Sequence, residues 1–358
     1  MTTRMKFLLA ALALQFVVLG WMAGKREWIV RTGREVWLRT MPVDPQDLFR
    51  GEYVRLNYEI SSLDDAKFGP ALQAEVKRLR SRDDTEHYRQ ERQERVVYVT
   101  LRQRADGVAE VVAVDLAKPA AGQLFIKGRG RLSWWDDKNA FLSVQYGIDA
   151  YYVEQGQGRK LERRVPTGMP NGIQAPLEMK VALGGDGTAV LKDYRWCPLG
   201  LAVELFPPRT GNAKATPAQP RQIKVTFCNV SDRPLAVVLP SDLRTLRLVQ
   251  QDNSRREVEY GQTAATTPPD WTPAATDLTV LAPGAKHSIL LDPRQPRWFL
   301  TVADGARVPL GDKKHYHSAR MVYEPPPAAS PPSPAAAAVW QGRLASPAIS
   351  SYEFQENE

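Results

Sequence analysis

The sequence predicts a mainly β protein: an N-terminal transmembrane helix, then two β-rich modules, the second a sandwich. Three observations predict it. A single long apolar run stands near the N-terminus. Beyond it, short alternating segments bounded by Gly, Pro, Asn and Asp recur to the end of the chain. Around Trp196-Cys197-Pro198 the pattern changes character and divides the β-rich part in two. The expected organisation is an anchor over 1–25, one β-rich domain over 26–194 and a second over 195–358, with a Pro/Ala-rich loop at 325–338.

The apolar run reads FLLAALALQFVVLGWMA, Phe7 to Ala23, with Gln15 as its only polar residue. As a helix it spans about 25 Å at ~1.5 Å per residue, the short end of what a bilayer core of about 30 Å needs. Arg4 and Lys6 precede it; Lys25 and Arg26 follow. A cleaved signal peptide is the rival reading. Bulky Trp21 spoils a small-residue cleavage pattern near Ala23, and no cysteine is present there to carry a lipid. With the short tail left inside, the globular part is expected in the periplasm or outside the cell, on a single-pass inner-membrane anchor.

Composition narrows the partners. The 358 residues carry 48 Lys+Arg against 40 Asp+Glu, a formal charge of +8. Such a balance fits an anionic membrane surface, an acidic envelope polymer or nucleic acid. The basic residues are interleaved with acids, however. In the densest run, Lys77 to Arg95, Asp83, Asp84, Glu86, Glu91 and Glu94 offset the arginines. A solvated face is the expectation, and nucleic acid is not an expected partner.

In the first β-region, Glu35 to Thr40 alternates as a strand. MPVDPQDLFRG, Met41 to Gly51, is turn chemistry, with Asp44-Pro45 extended and Gly51 free to take a positive φ. The run RGEYVRLNY then places Val54, Leu56 and Tyr58 on one strand face and Tyr53, Arg55 and Asn57 on the other. Leu72, Val76 and Leu79 have helical spacing. Strands follow near Val96–Leu101, Val108–Asp115, Gln123–Trp134, Phe141–Val153, Leu177–Leu183 and Thr188–Tyr194. Ala105-Asp106-Gly107 and Gly184-Gly185-Asp186-Gly187 read as hairpin turns.

GEYVRLNY resembles the signature of the GDYXXLXY family of membrane-anchored bacterial proteins. Gly51, Tyr53, Leu56 and Tyr58 stand at the family's positions, and Glu52 stands where the family has Asp. That keeps the charge and moves the carboxylate by a methylene. YGIDAYYVEQGQGRKLE, Tyr146 to Glu162, and the DPQDLFRG context also resemble the family. The resemblance covers about residues 1–195 and implies a single-pass envelope protein with no established activity. The motif residues Gly51, Glu52, Tyr53, Arg55, Leu56 and Tyr58 have two readings: a Tyr53/Arg55 face that binds a protein partner, or a turn and strand that only build the sheet.

The second region alternates at Leu199–Leu205 and Ile223–Phe227. Strands recur near Leu235–Val238, Leu246–Val249, Leu278–Leu281, Ser288–Leu291, Trp298–Val302, Ala319–Tyr323 and Trp340–Leu344. Short strands at this spacing argue for a sandwich. The segments NVSDRPL, LAPG and VWQGRLAS loosely resemble immunoglobulin-like envelope modules. If the first two strands pair antiparallel, Cys197 and Cys228 lie at one end, where a disulfide is geometrically possible and two buried thiols are the alternative.

Reactive chemistry is sparse. GxSxG, HExxH and a Walker loop are absent from the sequence. The EQGQG segment, Glu154–Gly158, lacks the helix a phosphate cradle needs. Of the four histidines, His87 lies in the charged run and His287 on a strand; His315 and His317 share a face without a third ligand. No cofactor or metal is expected. Carboxylate pairs at Asp44/Asp47, Asp64/Asp65, Asp83/Asp84 and Asp136/Asp137 keep one enzymatic alternative open, an envelope hydrolase using paired carboxylates. The leading expectation is a non-enzymatic interaction or scaffolding module.

Overall fold

The computed structural model describes residues 3–41, 53–80, 93–134, 140–152, 173–206, 222–251, 257–259, 261–262, 271–292, 298–301, 306–309, 318–326, 337–346 and 349–350. It is mainly β with one N-terminal apolar helix, as the sequence predicts. Helix α1 runs Thr3–Thr32. It passes Lys25 without interruption, because Glu27 to Thr32 contain no breaker until Gly33. Residues 26–32, expected in the β-region, are therefore helical.

The first module comprises β1 (Arg34–Met41), β2 (Tyr53–Arg55), β3 (Asn57–Tyr58), β4 (Ser62–Asp64), α2 (Pro70–Arg80), β5 (Arg95–Gln103), β6 (Ala109–Asp115), β7 (Phe125–Trp134), β8 (Ala140–Gln145), β9 (Ala150–Tyr152), β10 (Leu177–Leu183) and β11 (Ala189–Trp196). One sheet has the order β11-β10-β1-β3, a second β4-β8-β7-β5-β6, and β2 pairs β9. Alternation fills the space between them. Val36 and Leu38 of β1, Met179 and Val181 of β10, and Val97 and Val99 of β5 share one buried cluster. α2 covers it with Leu72, Val76 and Leu79, the three residues whose spacing predicts a helix. Asp115 caps that helix, accepting from the amides of Leu72 (2.8 Å) and Ala71 (3.3 Å).

The strand expected over Phe141–Val153 is instead two strands in different sheets. Gly147, at φ +72°, bends the chain between them, which frees β9 to leave β8 and meet β2.

The second module follows with β12 (Leu199–Phe206), β13 (Gln222–Asn229), β14 (Leu235–Val238), β15 (Leu246–Gln251), β16 (Glu257–Glu259), β17 (Gly261–Gln262), β18 (Leu278–Leu281), β19 (Lys286–Leu291), β20 (Trp298–Thr301), β21 (Arg307–Pro309), β22 (Ser318–Tyr323), β23 (Ala338–Val339), β24 (Leu344–Ala345) and β25 (Ile349–Ser350). The β12-β13-β19 sheet shares its core with β14, β15, β18 and β22, through Leu199, Leu201, Val225, Phe227, Val237, Leu248, Leu281 and Met321. Two layers facing across alternating apolar residues make a sandwich. The strand expected over Trp340–Leu344 is not formed: Trp340 to Arg343 connect β23, parallel to β14, to β24, antiparallel to β22, and only Leu344 of the expected span is in a strand.

The possible disulfide between Cys197 and Cys228 is not made: the two are separate, buried thiols. The register explains why. Cys228 pairs with Gly200, so it points to the same side as Ala202, while Cys197 joins the opposite face with Leu199 and Leu201. Neither thiol is expected to react with iodoacetamide under native conditions, and both are expected to react on unfolding without reductant. Mass spectrometry checks this; a mass two protons short after unfolding would restore the bridge.

The helix is tied to the first module at its exit. Gly33 and Gly184 allow close approach: a Cβ on Gly33 would meet the Ile29 carbonyl oxygen at 2.5 Å, and one on Gly184 would meet Ile29 Cδ1 at 3.1 Å. Ile29 is buried. Lys25 Nζ bonds Asp186 Oδ2 at 2.7 Å, and Lys192 Nζ donates to the Val30 carbonyl at 2.9 Å. Burial works to raise the Asp186 carboxyl, but bonds from Lys25 and Thr188 outweigh it and hold it well below the usual range. Since the folded value lies below the unfolded one of about 3.9, this stabilisation is present above about pH 4 and is lost as pH falls through the folded value. Protection of the Thr188 amide, which donates to Asp186, is expected to fall between about pH 5 and about pH 2 after correction for intrinsic exchange. Unchanged protection would show that the bridge contributes nothing.

Candidate functional site at the seam of the two modules

Three neighbouring strands place three charges in one row. Arg39 of β1 is opposite Glu178 of β10, and Glu178 is opposite Arg195 of β11. They lie on the polar face of the sheet, away from Leu38 and Met179. Further along that face Glu35 bonds Lys180 (2.7 Å) and Lys192 (2.5 Å) near solvent. At the Arg39 end the second module covers the face, and the charges are buried: the side chains of Arg39 and Glu178 are 2% and 1% exposed.

Every charge in the row is answered. Arg39 Nη2 and Nε donate to Glu178 Oε1 at 2.7 and 3.2 Å. Arg195 Nε donates to Glu178 Oε2 at 2.7 Å. The hairpin tip between β5 and β6 adds Asp106, which lies 3.6 Å from Arg39 and 3.2 Å from Arg104. The Asp106 carbonyl accepts from Arg195 Nη2 at 2.8 Å, and the Arg195 guanidinium stacks 4.1 Å from the Trp37 ring centroid. Arg39 Nη1 reaches across the seam to the carbonyl of Arg343. Burial works to lower the Arg39 pKa, but the surrounding negative groups, Glu178 among them, outweigh it and the guanidinium stays charged.

This row forms one wall of a cavity of about 780 Å³. Trp196, Cys197, Pro198, Leu235, Val339 and Trp340 line the rest. Trp340 stacks on Tyr323, 5.4 Å between centroids, and so ties the cavity to the second core. Burial pushes the Cys197 thiol up to about 11, against the opposing pull of Arg39. It is therefore a protonated thiol at neutral pH and a poor nucleophile.

The described signature residues lie elsewhere in the first module. β2 pairs β9 with Tyr53 opposite Tyr152, Val54 opposite Tyr151 and Arg55 opposite Ala150. The described parts of the two stretches singled out in the sequence thus meet in one two-stranded ribbon. The Leu56 amide donates to the Asp149 carbonyl at 2.8 Å. Tyr58 is 0% exposed, and its hydroxyl donates to the Ile148 carbonyl at 2.8 Å. Tyr146 mirrors it by donating to the Ile60 carbonyl at 2.5 Å. Leu56 and Val54 are buried, while Arg55 is exposed. Gly51, Glu52 and the side chain of Tyr53 lie outside the described residues.

A family model described as GDYXXLXY protein matches residues 15–193. The chain belongs to the GDYXXLXY family. The match begins at Gln15 inside α1 and takes in the rest of that helix, β2 and β9, the row residues Arg39 and Glu178, and Asp106; Arg195 lies just beyond it. Neither a curated protein nor a solved structure matches this GDYXXLXY chain.

The sequence reading missed the charged row. Arg39 and Glu178 take polar positions of alternating strands, as Glu35 and Lys180 do nearer solvent, so the pattern alone does not mark which of these charges are buried. Of the candidate carboxylate pairs, Asp64/Asp65 are described, on β4 and the short turn after it; Asp44/Asp47, Asp83/Asp84 and Asp136/Asp137 lie outside the described residues, as do His87, His315, His317 and the EQGQG segment. His287 is on β19 opposite Phe227. Among the described residues no three His, Cys, Asp or Glu side chains cluster to hold a metal.

Proposed function

We propose that this chain is a single-pass envelope protein whose two β-rich modules, over about 26–194 and 195–358, stand outside the cytoplasmic membrane and act by binding a protein partner. α1 is long and apolar enough to cross a membrane. The observation that carries the binding reading is the state of the seam cavity. Its acids, Asp106 and Glu178, are held by arginines, and its thiol is protonated. It therefore offers arginine, tryptophan and aliphatic surface, the chemistry of recognition, and no acid/base pair poised over a cleft. The enzymatic alternative has no comparable observation in its favour.

A photo-crosslinking residue at Gln341, on the cavity wall, tests this in cells. A specific protein adduct is expected there and not at Glu204, which is exposed on β12. No Gln341-specific adduct would sink the reading. Protease treatment of spheroplasts tests the placement: the globular part is expected to be digested, and full protection would overturn it.

A further inference from the structure

The exit of α1 fixes where the first module stands, and that position carries a consequence for its surface. On the reading of α1 as an uncleaved anchor, we propose that the tip of the β10–β11 hairpin, Gly184 to Gly187, is seated in the lipid headgroup layer, so that the first module rests on the membrane and does not hang from a flexible tether. The ligand class is the lipid surface itself.

Distances along the helix place the tip. The apolar run ends at Ala23, and Lys25 follows about 3 Å further along the axis. The polar layer on each side of a bilayer core is roughly 5–7 Å deep. Lys25 thus lies within it, and Asp186 is bonded to Lys25 at 2.7 Å. The hairpin tip cannot be far outside a layer in which its own bonded partner sits. The run is also short for a bilayer core, so its flanking charges are drawn toward the hydrocarbon boundary rather than away from it.

Tryptophans mark the same level independently. Trp21 and Trp28 are 73% and 69% exposed. They are seven residues apart, hence on nearly one helix face and about 10 Å apart along the axis. Tryptophan favours the interface, where the ring meets both apolar and polar surroundings. Lys25 and the hairpin it holds lie between these two rings.

The join is stiff. α1 runs directly into β1 with Gly33 as the only residue between them. Ile29 is 4% exposed against the hairpin, and Lys192 grips the Val30 carbonyl one turn from the helix end. Gly185 at the tip is exposed, and a Cβ added there would meet nothing within 4 Å. On the far side of the tip, Phe125 packs against Gly187, and Lys118 sits 5.5 Å from the Phe125 ring centroid. This gives the same edge a cation that suits lipid phosphate.

The test uses the full chain in vesicles of phosphatidylethanolamine with a minority of phosphatidylglycerol. Native Cys197 and Cys228 are buried, so a fluorophore placed through Gly185→Cys or Leu14→Cys reports alone. Leu14→Cys is expected to be quenched by an acyl-chain spin label, and Gly185→Cys by a headgroup spin label. Quenching at Leu14 without quenching at Gly185 would overturn the proposal and leave the anchor standing. Quenching at neither would remove the anchor, and the proposal with it. Ile29→Asp is expected to abolish most of the Gly185 signal while sparing Leu14. Undiminished Gly185 quenching in that variant would overturn the stiff join on which the proposal depends.

Discussion

Arg39→Ala is expected to destabilise the first module by about 3–5 kcal/mol, the range for removing one partner from a buried ion pair. Its guanidinium is 2% exposed and bonds both Glu178 and the Arg343 carbonyl. Removing it strips Glu178 of two hydrogen bonds and, among the described residues, leaves Arg195 on that carboxylate. It also empties one wall of the cavity and breaks a tie between the modules. For a module of this size the melting temperature should fall by roughly 10 °C. A double variant, Arg39→Met with Glu178→Met, is expected to recover much of the loss, because no unpaired charge stays buried. Arg195 is the most exposed of the row, at 36%, and can turn its charge to water. Asp106 keeps Arg104. Denaturant titration of Arg39→Met, Glu178→Met and the double gives the coupling directly. Additive losses would show that the row is not an energetic unit.

The scale of that effect follows from where the second module sits. The same polar face bears Glu35, Lys180 and Lys192 toward solvent and Arg39, Glu178 and Arg195 beneath the seam. At the solvent end, bonds from Lys180 and Lys192 hold the Glu35 carboxyl down at about 2, but the group is fully exposed, and such pairs add little. The row beneath the seam has no water to fall back on. Chemistry that is ordinary along one sheet face becomes consequential where another module covers it.

Local patterns in the sequence carried the elements well, because each element reports its own burial. Leu72, Val76 and Leu79 name the buried stripe of α2 without any knowledge of its partner, and Asp106-Gly107 and Gly184–Gly187 mark turns through backbone preference alone. The seam was not legible in this way. Glu178 and Arg195 share one hairpin, but Arg39 is 139 residues from Glu178, and its place beside them depends on which strands become neighbours. The broken Phe141–Val153 strand is a failure of the same kind: Tyr146 and Ile148 continue the apolar alternation, and only the positive φ of Gly147 ends it. The cysteines show the third limit. β12 and β13 do pair antiparallel, the condition for a bridge, yet one residue of register decides which face Cys228 takes.

Tyr58→Ala is expected to cost about 3–5 kcal/mol, the range for emptying a fully buried aromatic site. The ring is enclosed in the first core, and the hydroxyl holds the Ile148 carbonyl. Tyr58→Phe separates these contributions: it keeps the ring and leaves a buried carbonyl without its donor, at roughly 1–2 kcal/mol. Burial keeps the Tyr58 phenol protonated far above the ordinary tyrosine range, so it donates throughout the accessible pH range. Arg55→Ala, one strand position from Leu56 but exposed, is expected to change stability by no more than about 0.5 kcal/mol. This contrast separates the two readings of the signature. The tyrosine joins the strand after the turn to the bend at Gly147, and Tyr146 returns the same bond in the other direction through Ile60. Two reciprocal tyrosines thus tie two distant segments together. If Arg55→Ala abolished partner capture while Tyr58→Phe left capture and stability untouched, the signature would be a binding face after all. If Tyr58→Phe lowers stability and Arg55→Ala alters neither stability nor capture, the signature is architecture, and recognition belongs to the seam.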